Sequence, residues 1–341
     1  MFLEEQIRKD EVKFSLLQVG ISIIIAVKNE ENNIQPLVES LKNLEWQQDN
    51  FEVIFIDDNS TDKTMKEIEK SINGLKNHKI ISLSEFEIGG KRNALTKGIE
   101  SAQFENIVIT DADCRPEPNW LNLYSKKFNE KFDFIFGIAP FKQDNFLVNR
   151  IACFENLRSS ILTFSFAGLG LPYSAAARNI GFTKNAFEKV GGYSKTKQTL
   201  SGDDDLLLRE AVKNKLKIGT VTDRGSYVYS ETKKTFKGYL NQKARHTQTS
   251  LHYLVKHKLF LALWHLMNLF SLLSVLLMIY NPLWGVLFAT KLFVDLSVVK
   301  IIERKFGYSF NLFDIIFLQI IYELLLILNF INARFLKIKW K

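Results

Sequence analysis

The chain has 341 residues, 46% of them apolar, and a formal net charge of +8. That length suits one large or two modest domains with a sizeable core, and 28 Phe with 10 Tyr exclude a disordered chain. Two cysteines, Cys114 and Cys153, exclude a disulfide framework and a Cys-rich zinc site, so a reducing compartment is expected for the polar part. From Leu251 onward 10 Lys/Arg stand against 4 Asp/Glu, so most of the basic excess lies in the apolar tail. It points to a membrane surface and not to nucleic acid.

Met1 to Gly20 is polar and charged, without the basic-then-apolar layout of a secretory signal, and reads as an adaptor segment. Apolar runs of strand length follow: Ile21–Val27, Phe51–Asp57, Lys79–Leu83 and Ile107–Thr110. Between them Glu31–Leu44, Asp62–Ile72 and Gly90–Ala102 carry apolar residues at helical spacing. Continuous apolar strands alternating with helices predict a mostly parallel sheet covered on both faces, an α/β domain. In open sheets of this kind ligands bind at the carboxyl edge, where each of these strands ends in polar residues. Trp120, after Pro118, reads as a core anchor at a helix start.

The tail differs in kind. Leu259–Tyr280 has no formally charged residue and is long enough to cross about 30 Å of hydrocarbon. Phe310–Asn332 is a second candidate span, although Glu323 lies inside it. Leu283–Val299 is weaker, because Lys291 and Asp295 interrupt it at a spacing that lets them pair on one helix face. Thr235–Lys258 mixes cations with Phe236, Tyr239, Leu240, Leu251 and Leu254 and predicts an amphipathic helix on the headgroups.

Three acidic clusters carry the chemistry. Thr110-Asp111-Ala112-Asp113 closes the fourth strand, and two carboxylates one residue apart can hold Mg²⁺ or Mn²⁺ together with substrate phosphate oxygens. Asp57-Asp58-Asn59-Ser60-Thr61-Asp62 follows the second strand. Ser60 or Thr61 is expected to cap the next helix with Asp62 in its first turn, leaving Asp57 and Asp58 as acceptors for a nucleoside. Gly89-Gly90-Lys91-Arg92-Asn93 opens the third helix, where glycines, cations and free amides favour an anion such as a diphosphate. Its spacing matches neither a Walker loop nor a dinucleotide fingerprint. Ser201-Gly202-Asp203-Asp204-Asp205 runs into a further helix. Dipole pairing favours acids there, but three adjacent charges repel, so function outweighs stabilisation. Cys114 is read as a neighbour of the acidic pair, not a nucleophile.

The ordered blocks ISIIIAVKNEENNI, DDNSTDKT, GGKRNAL, TDADCRP, RNIGFTKNAFEKVGGY, SGDDDLLLRE and QKARH resemble a membrane-bound family 2 glycosyltransferase of the GT-A fold. The resemblance covers about Ile21 to His246. It implies inverting transfer from a nucleoside diphosphate sugar, with Val27, Glu30 and Asp58 lining the nucleoside and Lys91 near the donor. Asp111 and Asp113 would hold the ribose–diphosphate and the metal. Arg178, Asn179, Gly181, Gly192 and Tyr193 would border the acceptor, and Gln242 and Arg245 would clamp the diphosphate from the membrane side. His246 stands where the family's membrane-bound polymerases carry Trp, which argues against a processive enzyme. In the family's Glu-Asp-x-Asp/Glu pattern the base lies two positions before the last acid. Counting back from Asp205 gives Asp203, with Gly202 in place of Glu; the other register gives Asp204.

The expected enzyme therefore moves a UDP- or GDP-linked sugar to a hydroxyl of a lipid-linked or surface-glycan acceptor. Transfer to polyprenyl phosphate is the alternative enzyme, and a membrane-tethered nucleotide- or metal-binding module the non-catalytic one. The expected organisation is an adaptor over 1–20, the transferase domain over 21–232, an interfacial segment over 233–258 and a membrane domain of two to three helices over 259–341. The cations Lys256, Lys258, Lys300, Arg304 and Lys305 agree with a cytosolic catalytic domain in a multi-pass cell-membrane protein. Three crossings would export the basic tail of Arg334, Lys337, Lys339 and Lys341.

Overall fold

The computed structural model describes residues 19–84, 90–196 and 202–335, with side chains up to residue 332. The adaptor up to residue 18, Gly89, Ser201 and the side chains of the basic tail lie outside the described residues. The chain separates into two compact units: Met1–Ala139 with Ala175–Lys195 and Glu210–Ser230, and Pro140–Ser174 with Thr196–Arg209 and Glu231–Lys341.

The first unit is built on a seven-stranded sheet of order β3-β2-β1-β4-β7-β6-β8. Its strands are β1 (Ile21–Val27), β2 (Phe51–Asp57), β3 (His78–Ser82), β4 (Asn106–Ile109), β6 (Phe134–Gly137), β7 (Ile180–Thr183) and β8 (Ile218–Val221). β1, β2, β3 and β4 are parallel as expected, with Ile21 opposite Phe51 and Asn106. β7 runs antiparallel between β4 and β6. A two-stranded ribbon pairs β5 (Cys114–Pro116) with β9 (Val228–Ser230).

The apolar runs are continuous because helices cover both faces. Helix α1 (Ile34–Lys42) buries Ile34, Leu37, Val38 and Leu41, and these join Ile23, Ile25, Val53 and Phe55 in one core. Helix α3 (Lys91–Ser101) covers the other face at Gly98, where a Cβ would come within 2.6 Å of Ile24 Cγ2 and 2.5 Å of Ile56 Cδ1. Gly98 lets this helix approach the strands closely. Trp120, fully buried, is the first residue of α4 (Trp120–Asn129), as expected.

Two loops differ from expectation. Helix α2 begins at Thr64 and runs to Ser71, and neither Ser60 nor Thr61 caps it. Asp62 does this work instead, its Oδ1 accepting from the Thr64 amide at 2.9 Å. Ser60 and Thr61 instead bind Asn29, whose amide donates to Ser60 Oγ at 3.0 Å while its Oδ1 accepts from the Thr61 amide at 2.8 Å. Asn29 and Asn59 both have left-handed backbones (φ 55° and 58°), which asparagine tolerates better than other non-glycine residues. The ends of β1 and β2 are thus clasped to each other.

Glu52 fixes the opposite end of β2. Its buried carboxylate accepts from Ser22 Oγ at 2.6 Å, the Gln103 amide at 2.6 Å and Lys79 Nζ at 2.8 Å. Burial alone would push this carboxyl up, but Lys79, Ser22 and the Gln103 amide outweigh it and hold it below the usual range. A group depressed in the folded state adds stability above its unfolded pKa, and that stability is lost as pH falls through the folded value. Glu52→Gln is expected to cost about 1–3 kcal/mol at neutral pH. Its stability should also fall less steeply below the ordinary value of 4.5. Parallel acid-unfolding curves for variant and wild type would refute this role.

The second unit is helical: α5 (Leu147–Gly168), the start of α7 (Asp203–Lys213), α8 (Phe236–Ser250), α9 (Val255–Leu277), α10 (Trp284–Ile302) and α11 (Leu312–Phe335). The remaining helix, α6 (Lys184–Lys189), belongs to the first unit. The expected interfacial helix is broken: α8 ends at Ser250, and Lys256 to Lys258 belong to the first turn of α9. Nor does α8 lie free, for it packs along α11 and its Lys243 pairs with Glu155 of α5 at 3.2 Å. Among the described residues two helices are long and apolar enough to cross a bilayer, Val255–Leu277 and Leu312–Asn332. The third expected crossing forms a helix that is not one of these two, and Lys291 and Asp295 lie within it. These two pair at 2.7 Å, as their spacing predicts, and Lys291 also binds Glu323.

Candidate active site

The carboxyl ends of β2, β1 and β4 meet the N-terminus of α3 in the first unit. The Val27 carbonyl, at the end of β1, accepts from the Asp58 amide at 2.9 Å. Asp58, 3% exposed, accepts from the Gly90 amide through Oδ1 at 2.8 Å, and Lys28 Nζ lies 3.4 Å from its Oδ2. Gly90 caps α3 at φ +117°, a backbone that side chains rarely adopt. Lys91 follows as the first helical residue and places Nζ 2.6 Å from Asp111 Oδ1. The structure therefore brings Val27, Asp58, Lys91 and Asp111 together.

Asp57 is not a spare acceptor. It is buried, and both its oxygens accept from the Ser60 amide, at 3.3 and 3.2 Å. Glu30 sits on the loop after β1, where its Oε2 accepts from Asn33 Nδ2 at 2.6 Å.

Asp111 and Asp113 converge with Cys114: one ligand atom from each lies within 4.8 Å of the others. Cys114 is fully buried and donates to Asp113 Oδ1 at 3.4 Å. Burial pushes its thiol well above the ordinary range, and the charges of Asp113 and Asp111 push it further. A protonated thiol is neither nucleophile nor good ligand. The donor set left is two half-buried carboxylates, which fits a hard, oxygen-seeking cation such as Mg²⁺ or Mn²⁺.

Most residues of the expected acceptor side turn out to be struts. Asn179 is fully buried, and its Oδ1 accepts from Trp120 Nε1 at 2.9 Å and the Tyr124 hydroxyl at 2.7 Å. Its Nδ2 donates to the Ile138 carbonyl at 2.7 Å and the Ser226 carbonyl at 3.0 Å. Its side chain has no face left for a sugar. Gly181 lies inside β7, where a Cβ would come within 2.9 Å of the Tyr124 ring. Gly192 supplies a left-handed turn (φ +56°), and Tyr193 is buried edge-on against Phe187 at 5.2 Å. Arg178 alone of this group is half-buried with a charged head, its Nη2 donating to the Ala139 carbonyl at 2.6 Å.

In the second unit all three acids stand in the first turn of α7. Asp203 and Asp205 are each 8% exposed. Asp204 Oδ1 accepts from the Asp205 amide at 2.8 Å, and Asp205 Oδ2 accepts from the Tyr253 hydroxyl at 2.5 Å. Gly202 has φ +79°, and a Cβ there would fall 2.2 Å from Thr249 Cγ2. No glutamate fits in that position, which accounts for glycine where the resembled pattern has an acid. Helical spacing puts Gln242 and Arg245, both half-buried, on the same face of α8 as Thr249. Sequence reasoning missed Tyr253, since one tyrosine beside an apolar run carries no local signal.

Residues 22–190 match the family model described as Glycosyl transferase family 2, so the chain carries a glycosyltransferase domain of that family, with the GT-A fold. A beta-monoglucosyldiacylglycerol synthase of Nostoc sp. is 41% identical over 98 residues, 28% of this chain and 20% of that protein. An undecaprenyl-phosphate 4-deoxy-4-formamido-L-arabinose transferase of Proteus mirabilis is 26% identical over 126 residues, 37% of this chain and 38% of that one. The matched stretch thus spans well under half the length of either relative. Among solved structures, the mannosyltransferase PcManGT of Pyrobaculum calidifontis, in complex with GDP-Man and Mn²⁺, shares the fold. Its TM-score is 0.50 at 20% identity, over 67% of this chain and 61% of that one.

Proposed function

We propose that the protein is a membrane-associated glycosyltransferase that moves a sugar from a UDP- or GDP-sugar to a hydroxyl of a lipid-linked or surface-glycan acceptor, with inversion. The observation that carries this reading is the cluster of Lys91, Asp111 and Asp113 at the carboxyl edge of the sheet, with Asp58 holding the turn that presents Lys91. It combines a cation for a diphosphate with oxygen ligands for a metal.

In the proposed reaction the acceptor oxygen attacks the anomeric carbon as the bond from that carbon to the diphosphate oxygen breaks. The hydroxyl proton passes to Asp203, or to Asp204 in the other register, and the nucleoside diphosphate leaves as an anion. Lys91 offsets part of that developing charge. A divalent cation, held by Asp111 and Asp113, would supply further neutralisation of the diphosphate. Gln242 and Arg245 are assigned to donor binding.

Membrane association is supported by the apolar surface of α9 and α11. Leu259, Leu266, Met267 and Leu276 on α9 are 60–66% exposed, and Phe313 on α11 is 85% exposed. So much apolar surface is not left in water by a stable chain. We assign these two helices to the bilayer and the catalytic residues to its cytosolic side. The name of the Proteus relative favours one second reading, transfer to polyprenyl phosphate, whose acceptor phosphate needs no base.

The test is a screen of UDP- and GDP-sugars with membrane lipid extracts as acceptors, following diphosphate release and sugar incorporation into lipid. Release with no sugar-dependent product, or none with any donor, would reject the transferase reading. Metal dependence is tested in the same assay. Turnover is expected to vanish in EDTA and return with Mn²⁺ or Mg²⁺, and full turnover in chelator would remove Asp111 and Asp113 from that role.

A further inference from the structure

The start of α7, which carries the acidic triplet, is gripped at three points by the end of α8 and the segment joining α8 to α9, all within the second unit. Thr249 fills the space beside Gly202. The Tyr253 hydroxyl donates to Asp205 Oδ2 at 2.5 Å, and Arg209 Nη1 donates to the His252 carbonyl at 3.0 Å. Tyr253 is itself buried, and burial, reinforced by the charge of Asp205, lifts its phenol well above the ordinary range. It therefore remains a donor throughout the neutral range.

The grip does not end at the hydroxyl. The Tyr253 ring stands edge-on to Tyr173 at 5.7 Å, Tyr173 to Phe166 at 5.3 Å, and Phe166 to Phe260 at 5.7 Å. Phe260 lies on α9, so a column of four rings runs from the acidic turn into the first apolar helix. Asp205 also passes constraint along its own backbone, since its amide holds the Asp204 carboxylate.

We propose that Tyr253 is a positioning residue for the transfer reaction, fixing the acidic turn through Asp205 and tying that turn to the start of the first apolar helix. The proposal rests on the reading of Asp203 or Asp204 as the base. Losing the phenol hydroxyl while keeping the ring should loosen the turn without removing a substrate contact.

The experiment compares the full-length protein in lipid nanodiscs with Tyr253→Phe, Tyr173→Phe, Asp203→Asn and Asp204→Asn. Amide hydrogen exchange over residues 202–206 is measured beside kcat and donor KM, with UDP-glucose, UDP-N-acetylglucosamine and GDP-mannose as probes. For Tyr253→Phe, exchange in the turn should rise and kcat should fall, each about 10-fold or more, with donor KM unchanged. Tyr173→Phe, which keeps the ring column, should leave both near wild type. Unchanged exchange in Tyr253→Phe overturns the proposal whether or not a probe sugar is used, and so does an unchanged kcat. If both Asp203→Asn and Asp204→Asn turn over normally, the base assignment fails instead, while the exchange result still judges Tyr253.

Discussion

Asp203→Asn should cut turnover by about 10²–10⁴-fold while donor binding stays close to wild type. That range is what a positioned general base contributes when the acceptor is a hydroxyl. Asn keeps the shape of the carboxylate and removes only its ability to take the proton. Counting back from Asp205 in the family pattern gives Asp203. Asp204→Asn should be measured beside it. If Asp204→Asn abolishes turnover and Asp203→Asn does not, the register is off by one. If both are mild while transfer persists, the acceptor is a phosphate.

The largest effect on stability is expected at Arg158. This residue of α5 is 4% exposed, with its Nη2 2.9 Å from Asp295 Oδ1 on α10 and its guanidinium 5.7 Å from the Trp264 ring and 5.5 Å from the Tyr322 ring. Gln319 and Lys291 complete the cluster, Gln319 bonding Asp295 at 3.1 Å and Glu323 at 3.0 Å. Two cations and two carboxylates balance there. Arg158→Ala leaves two buried carboxylates against one ammonium and should cost about 3–5 kcal/mol, the usual penalty for breaking a buried pair. Replacing Arg158 with Met and Asp295 with Leu together restores neutrality and should recover much of that loss. Denaturant unfolding in detergent micelles measures both variants. A single-variant loss below about 1 kcal/mol would show that water reaches the cluster.

The parallel half of the sheet was legible because β1 and β2 are long, unbroken and apolar, which only two-sided burial explains. The grouping of Lys91, Asp111 and Asp113 was legible for a related reason: acids at strand ends are conspicuous against such runs. The rest lacked a local signal. β5 is three residues, Cys-Arg-Pro, and exists only through its pairing with β9 far along the chain. The antiparallel insertion of β7 is set by tertiary pairing, not by any pattern in Ile180–Thr183. The acidic loop after β2 misled because Ser60 and Thr61 are good caps in isolation, whereas Asn29 from the neighbouring loop claims them. Arg178 to Gly181 was recognised as a block, but a motif does not reveal which of its members face inward. Lys291 and Glu323 each looked anomalous in an apolar helix, and only the packing of α10 on α11 shows that they answer each other.

The carboxamide of Asn179 has one more consequence. Both of its protons are bonded to carbonyls from separate loops, and no part of the side chain is exposed. Deuterium can reach them only when the surrounding packing opens as a whole, in contrast to amides at frayed ends that exchange through small local movements. The resonances of that single NH₂ group are therefore a built-in gauge of cooperative opening in the first unit, readable without an attached probe.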